Sequence, residues 1–212
     1  MPIIITLAHQ KGGVGKSTLA INLCGHFAQT GHQAALVDID PQGSATALLQ
    51  TFGGGKWPGA LIERAAFSGY EDLLTRLEGY DIAFIDTPPY LSKELRQAMA
   101  LSHLVLIPCK PSPLDALAVA RTIALVKEEQ ARKPSLAAAI VLTMAPAGTH
   151  FPALIRDHLG QHGLPVMDVE IANRVAYARS LLFADGAPAD RKAKGEIAHL
   201  AQELIDLLEN SL

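Results

Sequence analysis

Cysteine, aromatic side chains and charge are all scarce in this chain, and each scarcity narrows what it can be. Its two cysteines, Cys24 and Cys109, stand far apart in apolar segments. They cannot build a disulfide framework or a thiolate cluster site, and they read as core thiols of a reducing compartment. Aromatics make up 5% of residues, and the one tryptophan, Trp57, lies in a glycine-rich stretch where a partly buried ring would anchor a loop. A net charge of −3 gives no global attraction to nucleic acid or anionic lipid, so any such binding must come from a local patch. No uncharged apolar run is long enough to span a bilayer, and no basic segment precedes the first apolar run. The expectation is a cytoplasmic protein. Internal repeats, low-complexity tracts and linkers are missing too, so residues 1–212 are read as one domain large enough for a substantial core.

What the chain does have is a loop. Gln10-Lys11-Gly12-Gly13-Val14-Gly15-Lys16-Ser17-Thr18 follows the apolar run from Ile3 to Ala8 and opens a segment of helical spacing, Leu19, Ala20, Leu23, Cys24 and Phe27. Strand, glycine-rich turn and helix are the context a phosphate-binding loop needs. Glycines let backbone N–H groups turn inward onto phosphate oxygens, and the helix start adds unpaired N–H groups and a positive dipole end. The cradle runs over Gly12, Gly13, Val14, Gly15, Lys16, Ser17 and Thr18. Lys16 would reach the terminal phosphates, and the Ser17 hydroxyl would complete a Mg²⁺ shell.

Downstream, short apolar runs alternate with helical patterns. Strands are expected at Ala34–Ile39, Asp81–Asp86, His103–Pro108, Ala137–Thr143 and Val166–Ile171, with helices near 93–101, 114–129, 151–161 and 197–208. That alternation predicts an α/β fold, a doubly wound and mainly parallel sheet with helices on both faces. Ligands of such sheets sit outside the carboxyl ends of the strands. The rule gathers the loop, Asp38, Asp40 and Asp86 at one edge. Asp86 ends an apolar strand, where a carboxylate can order Mg²⁺.

The loop has Gln10 where the generic pattern has glycine, and gains a second lysine, Lys11. In this it resembles the deviant Walker A motif, KGGxGK[ST], of the P-loop NTPase family containing ParA-type partition ATPases, MinD and the nitrogenase iron protein. Asp38-Ile39-Asp40-Pro41-Gln42-Gly43-Ser44-Ala45-Thr46 looks like the switch I segment of partition ATPases, and Asp86-Thr87-Pro88-Pro89-Tyr90 like their switch II. The run from Leu106 to Asp115, the run from Asn173 to Ser180, and Gly186-Ala187-Pro188 also have family counterparts, so the likeness covers nearly the whole chain. It implies ATP and Mg²⁺ as cofactors and a weak, partner-stimulated ATPase. In that reading Lys16 and Lys11 are catalytic, Asp40 directs the attacking water, and Asp38 supports the metal region beside Ser17 and Asp86. Lys11 would cross to the partner subunit's nucleotide in an ATP sandwich homodimer.

Within that family, cluster cysteines are lacking, and the tail from Glu196 to Leu212 is acidic with no Lys or Arg. An acidic amphipathic helix is repelled by anionic lipid, so no membrane partner is expected and the tail should pack on the domain. With no amino-terminal helix-turn-helix, the chain is similar to the small class of partition ATPases. The implied partners are non-specific DNA, through Arg174, Arg179, Arg191, Lys192 and Lys194, and a ParB-like or other cargo adaptor. The implied location is the nucleoid. The alternatives are a MinD-like positioning ATPase, a metabolic ATP-dependent enzyme of the cobyrinate or biotin-pathway type, and a non-hydrolysing nucleotide-binding scaffold. Base contacts would come from the segment after the Ala137–Thr143 strand and the loop near 171–174. The histidines, His9 and His26 included, show no metal-ligand spacing and read as ordinary core or surface residues.

Overall fold

The computed structural model describes residues 1–53, 57–146, 148, 150–183 and 190–211, and only the backbone of 181–183. Gly54 and Gly55 of the glycine-rich stretch, Asp185, and Gly186-Ala187-Pro188 lie outside the described residues. Seven strands form one sheet: β1 (Ile3–Leu7), β2 (Ala34–Asp38), β3 (Ala60–Glu63), β4 (Ile82–Asp86), β5 (Leu104–Cys109), β6 (Ala137–Ala145) and β7 (Val166–Ala172). Their order is β3-β2-β4-β1-β5-β6-β7, and every pairing is parallel. The helices are α1 (Lys16–Gln29), α2 (Ser44–Phe52), α3 (Tyr70–Arg76), α4 (Lys93–Leu101), α5 (Pro113–Arg132), α6 (Phe151–Gly160), α7 (Val175–Phe183) and α8 (Arg191–Glu209).

Two-residue alternation sorts the strands onto two faces. Ile5 and Leu7 of β1, with Leu36, Phe84, Leu106 and Val141, pack under α1 and α8. Ile4 and Ala83 face the opposite side with α3 and α4 residues, and Val105, Ile107 and Ile140 face α5 and α6. Parallel strands covered on both faces explain why these runs are almost wholly apolar. β1 lies at the centre between β4 and β5, so the loop leaving it stands in the middle of the carboxyl edge.

The expected strands and long helices form close to their sequence bounds, and four further elements accompany them. β3 is a four-residue edge strand with one buried side chain, Ile62. The helices α2, α3 and α7 are short. The expected helix at 197–208 begins earlier, at Arg191, capped by the Asp190 carboxylate, which accepts from the N–H groups of Lys192 and Ala193. The tail packs on the domain through Ile197, Leu200, Leu204 and Leu208. Among the described residues no helix is long and apolar enough to cross a membrane.

Trp57 is partly buried against the α1 face of the core. A Cβ on Gly59 would stand 2.7 Å from the Trp57 ring and 2.9 Å from Cys24 Sγ. Gly59→Ala should therefore lower stability by about 1–3 kcal/mol through overpacking, read by urea unfolding. An unchanged midpoint would mean that the indole swings aside without cost.

Candidate functional site

Backbone chemistry sets the loop. Gly13 (φ 70°) and Gly15 (φ 96°) both occupy the left-handed region that side-chain-bearing residues avoid. Gly15 is the residue from which α1 starts. Three side-chain hydrogen bonds fix the loop and the strand end it leaves. Thr143 Oγ1 donates to the Val14 carbonyl at 2.8 Å, Gln10 Nε2 to the Ala118 carbonyl at 2.6 Å, and Thr87 Oγ1 to the Leu7 carbonyl at 2.6 Å. Ser17 and Thr18 sit half-buried in the first turn of α1.

Lys16 is buried, and among the described residues its ammonium hydrogen-bonds only the Lys11 carbonyl, at 3.4 Å. Burial lowers its pKa, while Asp86 and Asp40 pull it back toward the charged form. Asp86 ends β4 beside Leu7 on one side and Asp38 on the other. It is fully buried, and among the described residues neither carboxylate oxygen has a hydrogen-bond partner. Burial raises its pKa to about 7; the nearby Ser17 hydroxyl opposes that rise without forming a well-directed hydrogen bond, and the Asp38 charge adds to it.

Asp38, equally buried, is fully engaged. Its Oδ1 accepts from the Asp40 N–H at 3.1 Å, and its Oδ2 accepts from the Thr46 N–H and hydroxyl, each at 2.9 Å. These bonds fold the Asp40–Gly43 turn and fix the start of α2. Asp40 is half-exposed, caps the Gln42 N–H at 3.0 Å, and lies near enough to Lys16 and Asp86 to act on both charges. The loop, Asp38, Asp40 and Asp86 thus meet at one edge of the sheet.

At the lip, Lys11 Nζ pairs with Asp115 Oδ1 at 2.7 Å, and Asp115 also accepts from the Ser112 hydroxyl at the start of α5. Lys11 keeps 44% of its side chain exposed while Asp115 keeps 12%, so the acid is fixed and the lysine can leave. A third lysine, Lys110 at the end of β5, places its ammonium 3.9 Å from where a Gly13 Cβ would stand. In the sequence, Lys110 and Asp115 stand out only as members of the run from Leu106 to Asp115. The signal was there: two charged residues just past the carboxyl end of a strand next to the loop.

Beyond Gly15 a cavity of about 170 Å³ opens between the ends of β6 and β7, lined among others by Thr18, Leu19, Thr143, Asn173, Arg174 and Tyr177. It occupies the place where base contacts were expected. Met144 on its rim is the one described non-glycine residue with positive φ, 53°, a strain often kept at ligand sites. Arg174 is held against this cavity by Glu196, with Nη2 to Oε1 at 2.6 Å. The other cations expected to contact DNA stand apart from it. Arg179 is exposed on α7, and Arg191, Lys192 and Lys194 are exposed in the opening turns of α8.

His9 is the buried group that sequence reading passed over. Its Nδ1 accepts from the Lys11 N–H at 2.9 Å, which sets the entry of the loop, and its Nε2 is buried without a partner. Burial, then the Lys16 charge, depresses its pKa to about 4. Between about 6.5 and 4 the unfolded chain takes a proton that the folded chain refuses, so this residue removes stability as pH falls across that window. Asp86 acts oppositely, since its folded form keeps a proton up to about pH 7. The comparison must therefore be between variants. His9→Asn, which keeps an acceptor, should lose less stability than wild type on acidification from 6.5 to 4, by up to roughly 3 kcal/mol. Parallel urea-unfolding curves at both pH values would show instead that His9 is not held neutral.

Comparison with known proteins follows the same geometry. Residues 5–185 match the family described as the CobQ/CobB/MinD/ParA nucleotide binding domain. The chain is 29% identical over 211 residues to maintenance of carboxysome distribution protein A of Halothiobacillus neapolitanus, covering 95% of both chains. It is 30% identical to the chromosome-partitioning ATPase Soj of Thermus thermophilus, over 94% of this chain and 96% of Soj. Among solved structures, a putative plasmid partition protein of Borrelia burgdorferi bound to AMPPNP superposes with a TM-score of 0.78 at 20% identity, over 97% of this chain and 99% of that one. The fold is theirs, and the chain belongs to the CobQ/CobB/MinD/ParA nucleotide-binding family of P-loop NTPases.

Proposed function

We propose that this protein is a partitioning ATPase that closes into a homodimer on ATP, holds DNA without reading its sequence, and lets go when a cargo-bound adaptor stimulates hydrolysis. The observation that carries this reading is the pair of lysines on one loop. Lys16 is buried toward the acids of its own site, while Lys11 stands at the lip, half-exposed and held only by Asp115. A buried lysine serves the phosphates of its own subunit, and a lysine at the lip can reach those of a facing one. The relatives named for chromosome partition and carboxysome distribution support a cargo-moving role over a biosynthetic one.

The nucleotide would lie with its phosphates over Gly12–Thr18 and its base in the cavity by Asn173. Mg²⁺ fits the site, because two buried and unpartnered Asp86 oxygens beside the Ser17 hydroxyl are the donor set a hard cation or its water shell satisfies. Ser17 and Asp86 would hold it, and Asp38 would contribute by fixing the turn that carries Asp40. When bound, the cation supplies charge neutralisation at the phosphate oxygens. Asp40 orients water toward the terminal phosphate, while Lys16 and the partner's lysine take up the developing charge. Before it can cross, Lys11 must leave Asp115, so that ion pair opposes dimerisation.

The DNA surface in this reading is the basic start of α8 with Arg179. Cations in the first turn of a helix oppose its dipole, at a cost of about 0.3–1 kcal/mol each, and α8 has no acid there. Arg191, Lys192 and Lys194 therefore serve something other than helix stability, and phosphates are the ligand their charge and exposure fit. Arg174, engaged by Glu196, adds little to that surface.

ATPase activity should be low alone and rise when DNA and the adaptor protein are both added; turnover that requires a small carboxylic acid instead would assign the chain to amide-forming chemistry. Lys11→Ala should keep ATP binding and lose ATP-dependent dimers in light scattering, whereas Asp115→Ala should dimerise at lower ATP. Dimers of undiminished amount in Lys11→Ala would remove the crossing lysine from the scheme. Reversing charge at Arg191 and Lys192 should abolish ATP-dependent retention on DNA at low salt, and retention equal to wild type would place the DNA surface elsewhere.

A further inference from the structure

Glu196 lies on the first half of α8, in a tail whose acids read from sequence as the face that disfavours anionic lipid. Its carboxylate is instead the meeting point of the cavity wall. Oε1 accepts from Arg174 Nε at 2.8 Å and is in ion-pair contact with Nη2 at 2.6 Å, while Oε2 accepts from the Tyr177 hydroxyl at 2.6 Å and the Ala172 N–H at 3.1 Å. Ala172, Arg174 and Tyr177 all line the cavity. The same wall is tied to the phosphate-loop helix: Ser180 Oγ donates to Asn22 Oδ1 at 3.0 Å, and Asn22 Nδ2 donates to the Thr18 carbonyl at 2.8 Å. Three hydrogen bonds and an ion pair on one carboxylate are more than helix packing needs, and the three residues that supply them face the space where the base would lie.

The donors that Glu196 occupies are chemically telling. The Nε and Nη edge of a free arginine pairs with O6 and N7 of guanine, whereas a side-chain amide pairs with the N6 and N7 edge of adenine. The cavity offers both, an arginine in Arg174 and an amide in Asn173. With Arg174 turned onto Glu196, the amide is left as the polar group able to read a purine edge.

We propose that Glu196 is a specificity-determining positioning residue: by engaging Arg174 and fixing Tyr177 and the Ala172 N–H, it makes the cavity select adenine over guanine nucleotides. The proposal rests on the cavity being the base site. It assigns no catalytic step to Glu196, which acts through the residues it holds.

The test measures binding of ATP, GTP and inorganic tripolyphosphate to the full chain, in wild type, Glu196→Gln, Glu196→Ala and the double variant Arg174→Ala with Glu196→Ala. Tripolyphosphate samples the phosphate loop without the cavity. Glu196→Ala should bind tripolyphosphate as wild type does, while its preference for ATP over GTP shrinks roughly tenfold, the scale of one good bidentate base contact. Glu196→Gln, which keeps the volume and an acceptor, should lie between the two and serves if the alanine variant fails to fold. Removing Arg174 as well should abolish the gain in GTP binding. A parallel loss of ATP and tripolyphosphate binding with the ATP-to-GTP ratio unchanged would reduce Glu196 to a structural tether. Equal binding of all three ligands by wild type would overturn the base-site reading itself, and the proposal with it.

Discussion

A carboxylate buried without a partner is among the most expensive things a fold can keep, and Asp86 is one. It sits between Leu7 and Asp38 in the sheet register, within reach of a buried lysine that has almost no partner of its own. Desolvation pushes the acid toward its protonated form and the lysine toward its neutral form, and the attraction between the two works against both shifts. The threonines around the site are committed to other partners. Thr87 bonds the Leu7 carbonyl, Thr46 bonds Asp38, and Thr143 bonds the loop carbonyl of Val14. The side chains around the site are used to fix backbone, and the charges that matter are left open.

That division of labour also explains the architecture of the edge. Thr143 of β6 clamps the Val14 carbonyl, Gln10 of the loop donates to the Ala118 carbonyl of α5, and Thr87 just past β4 holds the Leu7 carbonyl at the end of β1, so neighbours help shape the loop beside its own glycines. Asp38 illustrates the point. Its place at a strand end suggests a metal ligand, yet both its oxygens are taken up in folding the Asp40–Gly43 turn and starting α2. It influences the site through the position of Asp40 and through its charge on Asp86.

Much of this was legible in the sequence because the loop is a local object. Glycines at two left-handed positions, a lysine and a hydroxyl before a helical pattern are all contiguous, and β4, β5 and β6 are apolar runs that a doubly covered sheet demands. What escaped was short or distant. β3 buries one side chain in four residues, which is too little to form a pattern. α2 starts behind a left-handed Gly43 inside a segment whose aspartates draw attention to chemistry instead. His9 looked ordinary because its function is to accept one backbone N–H two residues away, a geometry that no spacing rule encodes.

The tail shows the limit most clearly. Read as a charge pattern, Glu196 and Glu203 lie on the acidic face of an amphipathic helix, and nothing in that pattern names a partner for them. In the fold, α8 runs along β7, the strand that ends the sheet, and an edge strand exposes N–H groups that must be satisfied. Glu203 accepts from the N–H groups of Asp168 and Val169, each at 2.8 Å, and Glu196 accepts from that of Ala172. The register of β7 against β6 shifts twice, between Ile140 and Leu142 and again between Thr143 and Ala145. The second shift falls where Met144 takes its positive φ and the cavity opens. The acids of the tail therefore hold the irregular edge that shapes the cavity. The carboxylates that make the tail acidic are thus the groups that anchor this end of the sheet.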